Sequence, residues 1–371
     1  MRVIHLANYG GPYPGSFIPM LVAAGRAVRE SGGDSVLAFT HSASERAWVS
    51  ELRAEGMRVE FAPRGDDRVK ARWIGELAGH EVPTILHTHF TTFDLPALRA
   101  ARGRSRTAVL WHLHTTLRPE LTMRVRNSLK FALAGRRVAA IVCVGDDIAD
   151  QVRARNAPRS RVTVLQNAID LTRFPPIDAA RRAEARARLG LDDGVAALLH
   201  FGWDWRVKGG DLLAGAVERI ALRRPVVALS VGCDEGVLAA ERARLDLPEG
   251  ALRMLDPTDD VAELYAAADV FAATSRAEAF PFAVLEAVAS GLPVVATDIP
   301  AHRTIARETG NMRLVPPDAE ALAAGFDEAL STDPRTAAEQ ALRARARMVE
   351  RMDLPVWSDR LLELYARVLP G

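Results

Sequence analysis

Short, uninterrupted apolar runs alternate with longer stretches of helical period along almost the whole chain. The runs that predict strands are Arg2–Ala7, 35–40, 58–62, 85–88, 108–112, 139–144 and a short 162–165. Helical patterns such as 18–31 and 43–55 lie between them. Continuous apolar runs joined by helical crossovers predict parallel strands buried on both faces. The pattern weakens across 167–176, where Asn, Asp and two prolines cluster, and an Ala/Arg-rich helical stretch follows at 179–189. A second series then begins, with strands at Ala196–Phe201, Val226–Val231, Leu252–Leu255, Val270–Ala273, Val294–Thr297 and Met312–Val315. Its helices are predicted at 211–223, 261–268 and 282–290, with two more at 335–351 and 356–368 closing the chain. The expected fold class is α/β: two Rossmann-like, doubly wound parallel-sheet domains facing across a cleft suited to a nucleotide.

Composition narrows the partners. Of 371 residues, 48 are Lys or Arg and 47 Asp or Glu, a net charge of +1, which argues against a nucleic-acid binder. Two cysteines, Cys143 and Cys233, lie far apart in apolar sequence and read as inert buried thiols, with no metal framework around them. The opening MRVIHLANYGGPYPG meets Gly and Pro too early for a signal-peptide core. No run approaches the roughly 18 apolar residues that span a bilayer, so the expectation is a cytoplasmic protein, at most peripheral at the inner membrane surface. From Leu117 to Val138, LRPELTMRVRNSLKFALAGRRV sets Leu121, Val125, Leu129 and Ala132 at helical spacing beside Arg124, Arg126, Lys130, Arg136 and Arg137. That pattern fits either a helix packed on its sheet or a face meeting anionic lipid.

The loops after the first strands of the two halves read GGPYPGSF and GWDWRVKGGD. Neither holds G-x-G-x-x-G or a P-loop, so NAD or ATP chemistry is not expected. Gly15 and Ser16 precede a helix whose free N–H groups can face an anion. The richest stretch is SRAEAFPFAVLEAVASGLPVVATD, residues 275–298. A strand runs into a loop with Glu278, the helix beginning near Phe282 holds Glu286 about one turn in, and Gly291 and Pro293 end it. Backbone N–H groups over Phe280, Pro281 and Phe282 would suit phosphate or hydroxyl oxygens. Glu286 would suit a ribose diol, and Glu278 a sugar hydroxyl or developing positive charge.

Glu278-x7-Glu286 followed by Ala-Val-Ala-Ser-Gly-Leu-Pro-Val-Val-Ala resembles the E-x7-E element of retaining glycosyltransferases of the GT-B fold, family 4 (glycosyltransferase group 1). VLQNAIDLTRF at 164–174 is similar to the family's interdomain segment, with Asn167, Asp170 and Phe174 matching and Ala168 in place of glycine. Lys208-Gly209 after Phe201-Gly202 resembles its phosphate loop, and WHLHT at 111–115 its histidine-bearing strand end. The resemblance implies domains at 1–172 (acceptor) and 173–354 (nucleotide sugar), with 355–371 as a helix crossing back onto the first.

It further implies a nucleoside diphosphate sugar donor, a hydroxyl-bearing acceptor (glycan, lipid carrier or small molecule), and no metal or other cofactor. By resemblance Lys208 neutralises the leaving diphosphate near Gly202, Glu286 holds the ribose, Glu278 the donor sugar, and His114 hydrogen-bonds that sugar. His112, inside the strand, is the weaker histidine. His87, His89 and Arg118 are assigned to the acceptor side, and base contacts to backbone at 254–256. Two positions depart from the family: Trp203 stands where an arginine is usual, leaving Arg206 to supply the second charge, and Ser16 replaces a glycine. Those departures keep open a non-catalytic sugar-nucleotide-binding or interaction protein; a third reading is another GT-B chemistry such as phosphorolysis or epimerisation.

Overall fold

The computed structural model describes residues 1–369, and the chain divides into two compact units, Met1–Ala168 with the segment from Leu354 onward, and Ile169–Asp353. The first unit holds strands β1 (Arg2–Ala7), β2 (Asp34–Phe39), β3 (Arg58–Phe61), β4 (Thr84–His89), β5 (Thr107–Leu113), β6 (Ala140–Cys143) and β7 (Val162–Val164). They form one parallel sheet in the order β3-β2-β1-β4-β5-β6-β7. The second holds β8 (Ala196–Phe201), β9 (Val226–Val231), β10 (Leu252–Leu255), β11 (Val270–Ala273), β12 (Val294–Thr297) and β13 (Met312–Val315). Their order is β10-β9-β8-β11-β12-β13, again all parallel. Both sheets are Rossmann-like, because the strand order reverses beside the first strand of each.

That reversal positions the sites. Crossovers leave the strands in opposite directions at a switch point, opening a crevice beyond the strand ends. In the first unit the switch falls between β1 and β4, in the second between β8 and β11. Buried Val and Leu on both faces hold each sheet, at about 1.5–3 kcal/mol for each large side chain removed from water. In the second unit Leu198, Leu213, Val217, Val270, Val295 and Phe326 belong to one such core. The final helix, Leu354–Val368, packs on Phe17–Glu30, and its Tyr365 is fully buried in the first unit.

Two local differences from the sequence reading have physical causes. The pattern at 43–55 resolves into a short turn, His41–Ala43, and a helix that starts only at Ala47. Arg46 between them is extended, its guanidinium donating to the Gly10 carbonyl at 2.8 Å. The region 117–138 forms an α-helix Leu121–Leu129 that widens into a π-turn Lys130–Ala134. The extra residue in that turn shifts the stripe's phase. Leu133, not Ala132, therefore continues the exposed apolar line of Leu121, Val125 and Leu129. Lys130, in line with the partly buried Met123 and Asn127 at ordinary helical spacing, turns inward off the basic face, pairs with the wholly buried Asp94 and lies 4.6 Å from the Trp111 ring. Burial pushes the Asp94 carboxyl up, against the pull of Lys130 and of the Thr88 hydroxyl at 2.5 Å.

Removing Lys130 would strand a carboxylate with no exposure, a loss of about 3 kcal/mol or more. Lys130→Met should lower the urea midpoint accordingly, and Asp94→Leu added to it should restore part of the loss. Equal midpoints for Lys130→Met and the parent chain would contradict this ion pair.

Candidate active site

The second unit brings Lys208, Glu278, Arg276 and Asp211 together at its switch point. β8 ends at Phe201, and the loop from Gly202 carries Lys208 back across the end of β11. Gly202 is small by necessity: a Cβ there would sit 2.9 Å from the Ser230 hydroxyl and 3.2 Å from the His200 ring. Two donors grip the Lys208 carbonyl, the Thr274 hydroxyl at 2.8 Å and His200 Nε2 at 3.2 Å. Burial lowers the His200 pKa to about 4, so the ring is neutral and, with Nε2 as its donor, Nδ1 accepts from Ser230 at 3.0 Å. Gly209 follows with φ +69°, and a Cβ would fall 1.9 Å from the Thr274 carbonyl oxygen. Only glycine allows that approach.

The Lys208 ammonium donates to Glu278 Oε1 at 2.6 Å, and the Ser275 hydroxyl donates to the same oxygen at 2.7 Å. Lysine and glutamate are each largely enclosed without being sealed. Eight positions on, Glu286 is buried and accepts from the Tyr265 hydroxyl at 2.8 Å. Glu286 lies in the second turn of the helix Phe282–Ala289, whose first turn has no acidic residue. Its role is therefore not that of a helix-dipole complement. Phe280 is buried and Pro281 caps the helix without a side-chain bond. Proline has no N–H, so the amide donors at this helix end are those from Phe282 onward.

Arg206 is mostly exposed and reaches Asp211 at 3.0 Å. Beside it lies a cation the sequence reading did not single out. Arg276 holds Asp211 with two bonds of 2.7 and 2.8 Å and donates to the Arg206 carbonyl at 2.7 Å. Its position inside the motif, directly after Ser275, was the available signal. His302 was also missed; it is buried, donates through Nδ1 to the Thr297 carbonyl at 2.8 Å, and feels the charges of Glu278 and Lys208. Trp203, half-exposed, packs over Gly232.

In the first unit Gly15 adopts φ +54°, whereas Ser16 caps the helix Phe17–Glu30 at φ −93°, a conformation open to any residue. The serine is buried there. His114 directly follows β5 and is half-buried, with Nε2 3.0 Å from His89 Nδ1. His87 and His89 are wholly enclosed, which corrects their expected role as an acceptor-lining surface. His87 Nδ1 meets the Tyr365 hydroxyl at 2.7 Å, its Nε2 meets His112 Nδ1 at 3.2 Å, and His89 Nε2 meets His5 Nδ1 at 3.1 Å. Arg118 stands exposed in the loop before Leu121.

Two such parallel sheets, with polar side chains collected at each switch point, define a GT-B protein built of two Rossmann-like units. A family model for "Glycosyl transferases group 1" matches residues 196–332, and one for "Glycosyltransferase Family 4" matches residues 21–173. The chain belongs to this group 1, family 4 class and is a glycosyltransferase. A D-inositol 3-phosphate glycosyltransferase of Catenulispora acidiphila is 29% identical over 99% of this chain and 94% of its own. One from Rhodococcus erythropolis is 32% identical over 57% of this chain and 49% of its own. Anabaena Alr3699/HepE, solved with UDP-glucose, shares the fold with a TM-score of 0.83 at 20% identity, covering 99% of each chain. A Rickettsia africae glycosyltransferase does so with a TM-score of 0.83 at 16% identity, over 100% of this chain and 99% of its own.

Burial holds His5 and His114 down at about 3, against 6.5 for a free imidazole. The unfolded chain takes up these protons below about pH 6.5 and the folded chain does not. Stability is therefore complete above pH 6.5 and is lost as pH falls toward 3, at up to about 1.4 kcal/mol per pH unit per histidine. Melting followed between pH 7.5 and 5 should show the midpoint falling below about pH 6.5; a flat profile would contradict the neutral cluster.

Proposed function

We propose that this glycosyltransferase is retaining and metal-independent, moving a hexose from a nucleoside diphosphate donor to an acceptor hydroxyl. The Lys208–Glu278 pair, braced by Ser275 at the end of β11, carries this reading. A lysine fixed by its backbone carbonyl can exchange Glu278 at its ammonium for a diphosphate oxygen and neutralise the charge that grows as the glycosidic bond breaks. Glu278, released, accepts hydrogen bonds from donor-sugar hydroxyls, and Glu286 accepts those of the ribose. Glu278 is not proposed as a nucleophile: released from Lys208, it is given to the donor-sugar hydroxyls and keeps the bond from Ser275. The anomeric C–O bond to the diphosphate breaks, the bond to the acceptor oxygen forms on the same face, and the acceptor proton passes to the departing phosphate oxygen. Arg276 and Arg206 lie on the loops flanking Lys208 and supply the positive field that the family arginine, replaced by Trp203, would give. His114, neutral, is proposed to hydrogen-bond the donor sugar. UDP-glucose is the first donor to test, since the Anabaena protein was solved with it.

The acceptor side carries a second proposed feature. Leu121 and Leu133 are 74% and 70% exposed, in line with exposed Val125 and Leu129, and Arg118, Arg124, Arg126, Arg136 and Arg137 are exposed around them. No described helix is long and apolar enough to cross a membrane. An apolar stripe bordered by cations fits the surface of an anionic bilayer, where a lipid-borne acceptor would lie.

Glu278→Gln and Lys208→Ala should each lower kcat about 100-fold or more, read as nucleoside diphosphate release, while the chain stays folded at the assay temperature. Product NMR should give the donor's anomeric configuration, and EDTA should not lower the rate; inversion, or loss of activity in EDTA, would refute the corresponding part of the reading. In vesicle sedimentation, Leu129→Asp with Leu133→Asp should abolish binding to phosphatidylglycerol vesicles. Equal binding by parent and variant would remove the membrane face.

A further inference from the structure

The pairing register of the first sheet brings five imidazoles together. His5 stands opposite His87, and His89 opposite His112. Side chains two apart on a strand share a face, so His87 and His89 point the same way, and His114 continues that line just past β5. Ring centroids lie 4.1 Å apart for His112–His114 and 5.2 Å for His89–His114. One nitrogen each from His89, His112 and His114 falls within 4.8 Å of the others. The same holds for His5, His87 and His89, deeper in the sheet. A face packed between sheet and helix is normally aliphatic, because each buried imidazole there needs a partner for its polar nitrogens.

We propose that His89, His112 and His114 form a binding site for a transition-metal dication of the zinc class. The donor set is three imidazoles with no carboxylate, which suits Zn2+, Co2+ or Ni2+ and not Mg2+ or Ca2+. Two of the three are oriented from behind: His89 by its bond to His5, and His112 by its bond to His87, which is held in turn by Tyr365. Partners of that kind fix the ring orientation of metal-binding histidines. His114 is half-buried where the other two are sealed, so it forms the entry. Three protein ligands leave a fourth position for water. The proposal concerns binding and stands apart from the transfer mechanism. If the assignment of His114 to the donor sugar also holds, the ion and the donor compete for it.

The test uses the tag-free, full-length chain and the metal alone. Calorimetric titration with ZnCl2 should give one equivalent with a Kd below about 1 μM. Cobalt titration should give the intense visible bands of a low-coordinate site. Affinity should fall about 100-fold in His89→Gln and in His114→Gln, and persist in His41→Ala/His80→Ala, which removes two exposed histidines. If His89→Gln fails to fold, His114→Gln at the rim decides. No equivalent tighter than about 10 μM in the parent chain, or unchanged affinity in His114→Gln, would overturn the site. Loss confined to His5→Gln would place the ion in the deeper triad and overturn this assignment.

Discussion

One backbone carbonyl governs the second unit's site. The oxygen of Lys208 receives both the Thr274 hydroxyl and His200 Nε2, which ties the loop after β8 to the end of β11. Gly209, lacking a side chain, permits the approach, and buried neutral His200 supplies a donor that does not titrate at ordinary pH. With the main chain fixed there, the Lys208 side chain has a set origin and its ammonium reaches Glu278. The anchor belongs to the fold while the ammonium stays available for exchange. A site that must release one anion to take another needs that division.

The two units apply one topology to different chemistry. At the switch point of the second, opposite charges meet: Lys208 with Glu278, and Arg276 with Asp211. At that of the first, five neutral histidines interlock and no carboxylate takes part in either histidine triad. Parallel sheets leave the same crevice in both cases, and what fills it is set by a handful of residues just beyond or inside the strand ends.

The strands were legible because buried parallel strands are continuous apolar runs; all six of the second unit match residue for residue. Glu278, Lys208 and Glu286 were legible because each sits in a motif with fixed spacing. His5 was not, since a histidine in an apolar strand carries no local sign of the partners that pairing register brings to it. Lys130 was misread for a related reason. Helical spacing sets it in line with Met123 and Asn127, and nothing local shows that this line faces the buried Asp94, 36 positions away. Arg276 escaped notice because its partner Asp211 lies 65 positions away. Contacts made by the fold, not by neighbours in sequence, account for His5, for Lys130 and for the partner of Arg276.

Tyr365 reaches His87 across 278 positions of chain. The second unit, Ile169–Asp353, is continuous, whereas the first is split around it. During synthesis the first sheet's histidine face is without its Tyr365 partner until the helix Leu354–Val368 has been made, after the whole of the second unit. The unit made later has its whole sequence available sooner.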